Sequence, residues 1–343
     1  MSETATYRLT KRNLGLLTTL ARFRILSTSQ VHAMCFPGAS KEAAANLLRR
    51  LEAAGYVARL RVPMMITAGA VAHRPEQAWI ILPEHWRAIE KELGRTERAD
   101  EWDQLAGMAS DAKHTHIFNE TTVRHELGIS AVYAALEQGV AQNAAHQLPF
   151  WWRTSPRHKD VSLNVRATLI HRETGEATER LLPINPDAVH AITTERGTSF
   201  YFLEYDNATE TNQDKIMRKF IAYVAYVKQG LFADKLVPIL MRRYQLKLTH
   251  PERASFRVLF ICSSEKRRND LILKSRVFPF SSLFQFASVD EFVANPFGPV
   301  FLSKKAITPW LHEYNAKTHE LGVLSLKNYG FAKIDETPKH SLL

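Results

Sequence analysis

The stretch from Asn185 to Tyr226, NPDAVHAITTERGTSFYFLEYDNATETNQDKIMRKFIAYVAY, constrains the fold more than any other part of the chain. Pro186-Asp187 opens a short apolar strand, Thr194-Glu195-Arg196-Gly197 supplies a turn, and a second strand runs from Phe200 to Asp206. Strand side chains alternate between faces, so Phe200, Phe202, Glu204 and Asp206 share one side. A helix is expected from near Glu210, with Ile216, Phe220, Tyr223 and Val224 on its apolar face and Lys215 and Lys219 flanking it. Two carboxylates ending an apolar face, beside a hairpin that carries Asp187, suit a hard divalent cation. Mg²⁺ takes oxygen ligands and usually only a few of them from protein. Asp187, Glu204 and Asp206 are therefore the candidate metal ligands. The bland alternative is a solvated strand edge running into the Asn207-Ala208-Thr209 turn.

At 343 residues the chain is long enough for two domains with cores of their own. Its formal net charge of +10 favours a polyanionic partner, nucleic acid first, and says nothing about fold. Cys35 and Cys262 are the two cysteines, far apart and outside any CxxC, which excludes a disulfide framework or a zinc knuckle and fits a reducing cytoplasm. The first residues, MSETATYRLTKR, lack an apolar signal core, and no apolar run approaches a membrane span, so no membrane partner is expected. There is no internal repeat and no Walker-type glycine loop.

Residues 1–95 read as a winged helix-turn-helix domain. A first helix covers Asn13 to Phe23. Ser27, three residues before Gln30, has capping-box spacing and opens a second helix. Ser40 caps a third helix with Ala44, Leu47, Leu48 and Leu51 as its buried stripe, and Gly55 stops it. Two extended segments follow, Tyr56 to Met65 and Gln77 to Leu82. In a helix-turn-helix the later helix enters the major groove. Lys41, Asn46, Arg49 and Arg50 lie off its buried stripe, and Arg and Asn can read guanine and adenine edges bidentately. Arg59, Arg61 and Arg74 would belong to the wing and contact phosphates. These seven residues are the candidate DNA-binding set. An ordinary solvated helix face, or a protein-docking module, is the alternative.

Residues 96–118 are polar and read as a linker, and 306–343 as a C-terminal tail. Between them, 119–305 form the second domain. It opens on a helix whose His125-Glu126 pair lacks the HExxH spacing of a zinc protease. Strands follow near Pro149–Trp152, Ser162–His171 and Arg180–Leu182, then the central hairpin and helix, then a strongly apolar strand over Ser255–Cys262. A short helix is expected over Glu265–Leu273 and a last strand over Leu283–Ala287.

This order, with Pro186-Asp187 on one strand and Glu204-Tyr205-Asp206 on the next, resembles the PD-(D/E)XK nuclease core. The whole chain resembles the replication-relaxation family of plasmid and mobile-element proteins, which join an N-terminal winged helix to such a nuclease-like domain. The residues that carry the resemblance are Leu47-Leu48-Arg49-Arg50-Leu51 with Gly55-Tyr56-Val57, then Pro186-Asp187, Phe202 to Asp206, Thr209-Glu210, Lys219, Tyr223 and Asn295-Pro296-Phe297-Gly298-Pro299. The implied fold class is α+β, a winged helix followed by an α/β nuclease-like domain. The implied catalytic residues are Asp187, Glu204 and Lys219, with Mg²⁺ as cofactor and double-stranded DNA as partner. One departure stands out. The nuclease pattern places a lysine two residues after the acidic residue, where this chain has Asp206. Lys215 or Lys219 would have to reach in from the following helix, or the domain has lost catalysis. Two functions follow from the resemblance: a cytoplasmic DNA-binding accessory in plasmid replication, relaxation or mobilisation, and a metal-dependent endonuclease or nickase. A protein-docking scaffold is the third reading. A homodimer on two half-sites would suit a winged helix, although no dimerisation signal is present. Plasmid replication or mobilisation proteins are the implied partners.

Overall fold

Leu16, Leu17, Leu20 and Ala21 recur at helical spacing and bury one side of α1 (Lys11–Phe23). A computed structural model describes residues 9–302, other than 24, 37, 65–75, 83–119, 154–162, 171–176, 209–212, 277 and 279–281. It divides into two compact units, Met1–Ala134 and Ala135–Leu343.

In the first unit, β1 (Leu26–Ser27) runs into α2 (Thr28–Cys35), whose N-terminus closes on the expected capping box. The Ser27 hydroxyl accepts from the Gln30 amide, and the Gln30 side chain accepts from the Ser27 amide. Ser40 caps α3 (Lys41–Ala53), which buries Ala44, Leu48 and Leu51. Gly55, at φ +80°, adopts the left-handed conformation that ends α3, where any Cβ would be strained. The chain then forms β2 (Val57–Met64) and β3 (Glu76–Ile81), and the antiparallel sheet has the order β1-β3-β2. The element order is the expected one.

The long helix α4 (Glu120–Gln142) opens where the second domain was expected to begin, yet the units divide within it, after Ala134. Its first half carries Val123 and Leu127, which complete a core with Ile25, Leu60, Ala78 and Ile80. Gln30 Nε2 donates to the Leu127 carbonyl at 3.0 Å, and the Ser130 hydroxyl lies within 3.2 Å of the carbonyls of Phe23 and Ile25. Tertiary burial on both sides of one continuous helix overrides a boundary set by composition. The expected linker, 96–118, and the tail, 306–343, lie outside the described residues.

The strands of the second unit are β4 (Gln147–Trp152), β5 (Asn164–Ile170), β6 (Ala177–Pro183), β7 (Ala188–Thr194), β8 (Gly197–Asp206), β9 (Phe256–Cys262) and β10 (Phe284–Ser288). Five of them form a sheet of order β10-β9-β8-β7-β4, and β5 and β6 form a separate hairpin that adds Val165 and Leu182 to the core. β7 pairs antiparallel with β4 and β8, whereas β8, β9 and β10 are parallel. The parallel step from β8 to β9 requires a crossover. It is made by α5 (Gln213–Lys228), a π-helical turn (Phe232–Leu236) and α6 (Val237–Tyr244). α7 (Glu265–Ser275) crosses from β9 to β10, and α8 (Val289–Ala294) follows.

Phe200 and Phe202 do share the face of Glu204; Phe202 lies beneath α5, and Phe200 meets Phe150 and Phe232. The Phe202 ring packs on Phe256 at 4.4 Å and meets Tyr223 edge-on at 5.9 Å. The Asn295-to-Pro299 turn has its own anchor in this unit. The Phe297 ring stacks on His146 at 4.5 Å and lies against Gly139 of α4, where a Cβ would stand 2.7 Å from it.

The opposite face of the sheet holds a buried histidine. His190, fully buried on β7, sits between the rings of Trp151 and Tyr201, at 5.1 and 5.3 Å, and neither ring nitrogen has a hydrogen-bond partner among the described residues. Burial lowers its pKa to about 3. The unfolded chain takes up this proton near pH 6.5, while the native fold resists it down to about pH 3. Stability is therefore full above about pH 6.5 and should fall as pH drops, by up to about 1.4 kcal/mol per pH unit for this group. Chemical unfolding at stepped pH should show this slope between about pH 6.5 and 5, and His190→Phe should flatten it. Equal slopes in the two proteins would show that His190 is not held neutral.

Candidate functional site

The exposed face of α3 is set by helical geometry. Once Ala44, Leu48 and Leu51 turn inward, Asn46, Arg49 and Arg50, three and four residues apart, are left together in solvent, and Lys41 is exposed at the helix start. Beside them, α1 contributes a residue that sequence reasoning missed. The Arg12 guanidinium lies over the Phe36 ring at 4.4 Å, and Arg12, Asn13, Asn46 and Arg50 line a concavity of about 500 Å³. Only the packing of α1 and α3 about α2 reveals this. Arg59 is partly committed within the unit, pairing with Glu52 at 3.5 Å above the Trp79 ring. Arg61 lies on β2, and Arg74 lies outside the described residues.

In the second unit the structure brings Asp187, Glu204 and Lys219 together. Asp187, one residue before β7, donates its amide to the Leu203 carbonyl and accepts the Tyr205 amide on Oδ2 at 2.6 Å. This backbone clasp places it beside Glu204 on the neighbouring strand. Glu204 is 2% exposed, an acid inside an aromatic core. Lys219 Nζ donates to Glu204 Oε2 and the Tyr223 hydroxyl donates to Oε1, both at 2.6 Å. Lys219 and Tyr223 are four residues apart on α5 and so reach one carboxylate from one helix face. Of the expected helix lysines, Lys219 is bonded to Glu204 from α5.

The electrostatics follow from burial. Desolvation raises the pKa of the Glu204 carboxyl, opposed by the Lys219 ammonium, while the nearby Asp187 charge adds to the rise. The Glu204 carboxylate raises the Lys219 pKa. Burial, then Glu204, pushes the Tyr223 hydroxyl well above its usual range, which keeps it a donor. The Lys219 side chain is 53% exposed, so solvent screens its half of the pair.

Asp206 does not join this group. Its two oxygens accept from Nε and Nη2 of Arg267 at 2.8 and 3.0 Å, a bidentate pair at the start of α7. Arg267 also bonds Asp270, which accepts from Lys274. Among the described residues, no three His, Cys, Asp or Glu side chains gather as a metal-binding group. The expected three-carboxylate cluster is replaced by two separate ion pairs. Sequence reasoning missed Arg267 because its partner depends on the parallel β8–β9 register, which sets Asp206 opposite Cys262. Tyr223 carried a signal, the four-residue spacing from Lys219, without a role attached to it.

A family model described as replication-relaxation matches residues 17–239, which spans both α3 and the Glu204 centre. No curated protein matches the chain.

Removing the Tyr223 hydroxyl leaves one buried carboxylate oxygen unpaired. Tyr223→Phe should lower unfolding free energy by about 1–3 kcal/mol in urea titrations at neutral pH. In Lys219→Met the loss should shrink as pH falls, because protonating Glu204 removes the uncompensated charge. A Tyr223→Phe protein as stable as wild type would remove Glu204 from the forces that hold α5 to the sheet.

Proposed function

Because the chain belongs to the replication-relaxation family, we propose that it is a DNA-binding protein acting in replication, relaxation or mobilisation of a plasmid or other mobile element, with a nuclease-like second domain that does not cut. The family implies the role in plasmid or mobile-element replication or relaxation. The DNA-binding reading rests on one observation: Lys41, Asn46, Arg49 and Arg50 all lie in solvent on α3, with Arg12 beside Asn46 and Arg50. We read the first unit as a winged helix-turn-helix, with α3 in the major groove and β2–β3 as the wing. Arg50 and Asn46 are the base-reading candidates, while Lys41, Arg49 and Arg12 engage phosphate. A basic exposed face of this kind disfavours a docking scaffold.

The inactive reading of the second unit rests on how its carboxylates are spent. Mg²⁺ needs several oxygens converging at about 2.0–2.1 Å. Both oxygens of Glu204 and both of Asp206 already accept from cationic or hydroxyl donors. An ion would share these oxygens with the donors that hold α5 and α7, which disfavours it, and no catalytic step is assigned through it. Lys219, poised on Glu204, is the one observation that favours an endonuclease or nickase instead.

Gel-shift titrations on duplex DNA should show weaker binding by Arg49→Ala with Arg50→Ala. The slope of log affinity against log salt should be shallower by about 0.9, for the one phosphate that Arg49 no longer neutralises. Unchanged affinity and slope would overturn the α3 interface. Supercoiled plasmid with Mg²⁺ or Mn²⁺ should stay intact, and nicking that disappears in Glu204→Ala would establish the nuclease in its place.

A further inference from the structure

The opposite end of β8 holds a second feature that neither the α3 face nor the Glu204 centre uses. The β7–β8 turn, the first residues of β8 and β9, and the segment Leu248–Arg253 enclose a cleft of about 590 Å³. This volume falls within the range of small-ligand sites. Its floor is the buried pair Phe200 and Phe256, which face each other across the parallel β8–β9 ladder. Its walls carry Arg196, Arg253 and Arg257, the imidazole of His250, and the hydroxyls of Thr198, Ser199, Thr249 and Ser255. Among the described residues, no carboxylate lines it.

The cations are little compensated. Arg196 is exposed at the turn and makes no ion pair among the described residues. Arg257, opposite Tyr201 in the ladder, turns its guanidinium to the Tyr201 hydroxyl at 3.5 Å, on the face away from Phe200 and Phe256. Arg253 and His250 meet Glu252 at 3.7 and 3.4 Å, exposed contacts that contribute little. Guanidinium groups interleaved with hydroxyls are the set that contacts phosphate oxygens. Ser199 and Glu204 are five residues apart along β8, about 17 Å at a strand's rise, so the cleft is separate from the carboxylate centre.

We infer that this cleft is a phosphate-binding site for a nucleic-acid backbone, held by Arg196 and Arg253 with the surrounding hydroxyls. It is independent of α3. It gives the second unit a nucleic-acid contact of its own, one that needs no catalysis. The open, solvent-facing arginines suit a strand lying across the cleft.

The test uses the full chain and fluorescence anisotropy with a labelled single-stranded oligonucleotide and its duplex. Three paired variants are compared with wild type: Arg196→Ala with Arg253→Ala, Arg49→Ala with Arg50→Ala, and, as a charge control, Lys228→Ala with Lys235→Ala, both exposed lysines outside the cleft. The cleft pair should weaken binding of at least one form about tenfold and flatten its salt slope by about 1.4 for the single strand or about 1.8 for the duplex. The control pair should change neither by as much. An unmoved cleft variant beside a weakened α3 variant overturns the cleft and leaves the α3 interface standing, and the reverse pattern does the opposite. Equal effects in the cleft and control pairs would reduce the result to overall charge and overturn the site. A deoxynucleoside monophosphate that raises the Tm of wild type but not of the cleft variant, with oligonucleotide affinity unmoved, would assign the cleft to a small nucleotide and overturn the backbone reading. Both cleft arginines are solvent-exposed, so the variant should melt like wild type without ligand, and that melt is the check on folding.

Discussion

The carboxylate of Glu204 is the interaction on which the second unit depends. An ionised acid inside an aromatic core costs several kcal/mol to desolvate, and it is tolerated only when its oxygens are met by donors of good geometry. Both oxygens are met, one by Lys219 and one by Tyr223, and both donors come from α5. The carboxylate therefore pins the crossover helix to the central strand at one rotation and one height. Phe202 and Phe220 could tolerate a small slide of α5, because apolar contact is not directional. Two hydrogen bonds of 2.6 Å to a single buried group could not. Burial of Glu204 thus fixes the position of a helix whose apolar face alone would leave it loosely specified.

The same logic separates the two chemistries between which the chain divides. Each oxygen of Glu204 accepts one donor from α5, so any further partner of this carboxylate would share it with the bonds that hold the helix. On α3 there is no such sharing, since Ala44, Leu48 and Leu51 hold the helix while Asn46, Arg49 and Arg50 remain in solvent. The charged face and the buried face occupy opposite sides of one helix, and so the proposed DNA contact makes no demand on stability.

Much of this was legible in the sequence, and for identifiable reasons. The Ser27–Gln30 box, the Ser40 cap and the Gly55 stop are local signals that need no tertiary knowledge. Alternation along β8 placed Phe200, Phe202 and Glu204 on one face, and the four-residue repeat of α5 placed Lys219 where it could reach that face. What sequence could not supply were contacts between distant segments. The fate of Asp206 depends on a parallel register with a strand about fifty residues later. The cover of the first unit by α4 depends on Val123 and Leu127 meeting Ile25 and Ile80, and no local composition marks that change of allegiance at Ala134. His190 is a third case. A histidine in an alternating strand gives no sign that both of its nitrogens will be buried without a partner.

Asp206 is one half of an ion pair that closes the end of β8. There β9 and the start of α7 bring Arg267 to 2.8 Å from its side chain. A lysine at 206 would face a guanidinium at contact distance in a site where Arg267 is 11% exposed, an arrangement that like-charge repulsion forbids. An acid is the residue that such a neighbour selects, and its bidentate bond ties the end of β8 to α7. The cation that Glu204 still requires then has to come from elsewhere, and α5 provides it as Lys219. A lysine at 206 would place two cations against each other and break the bond that ties the end of β8 to α7.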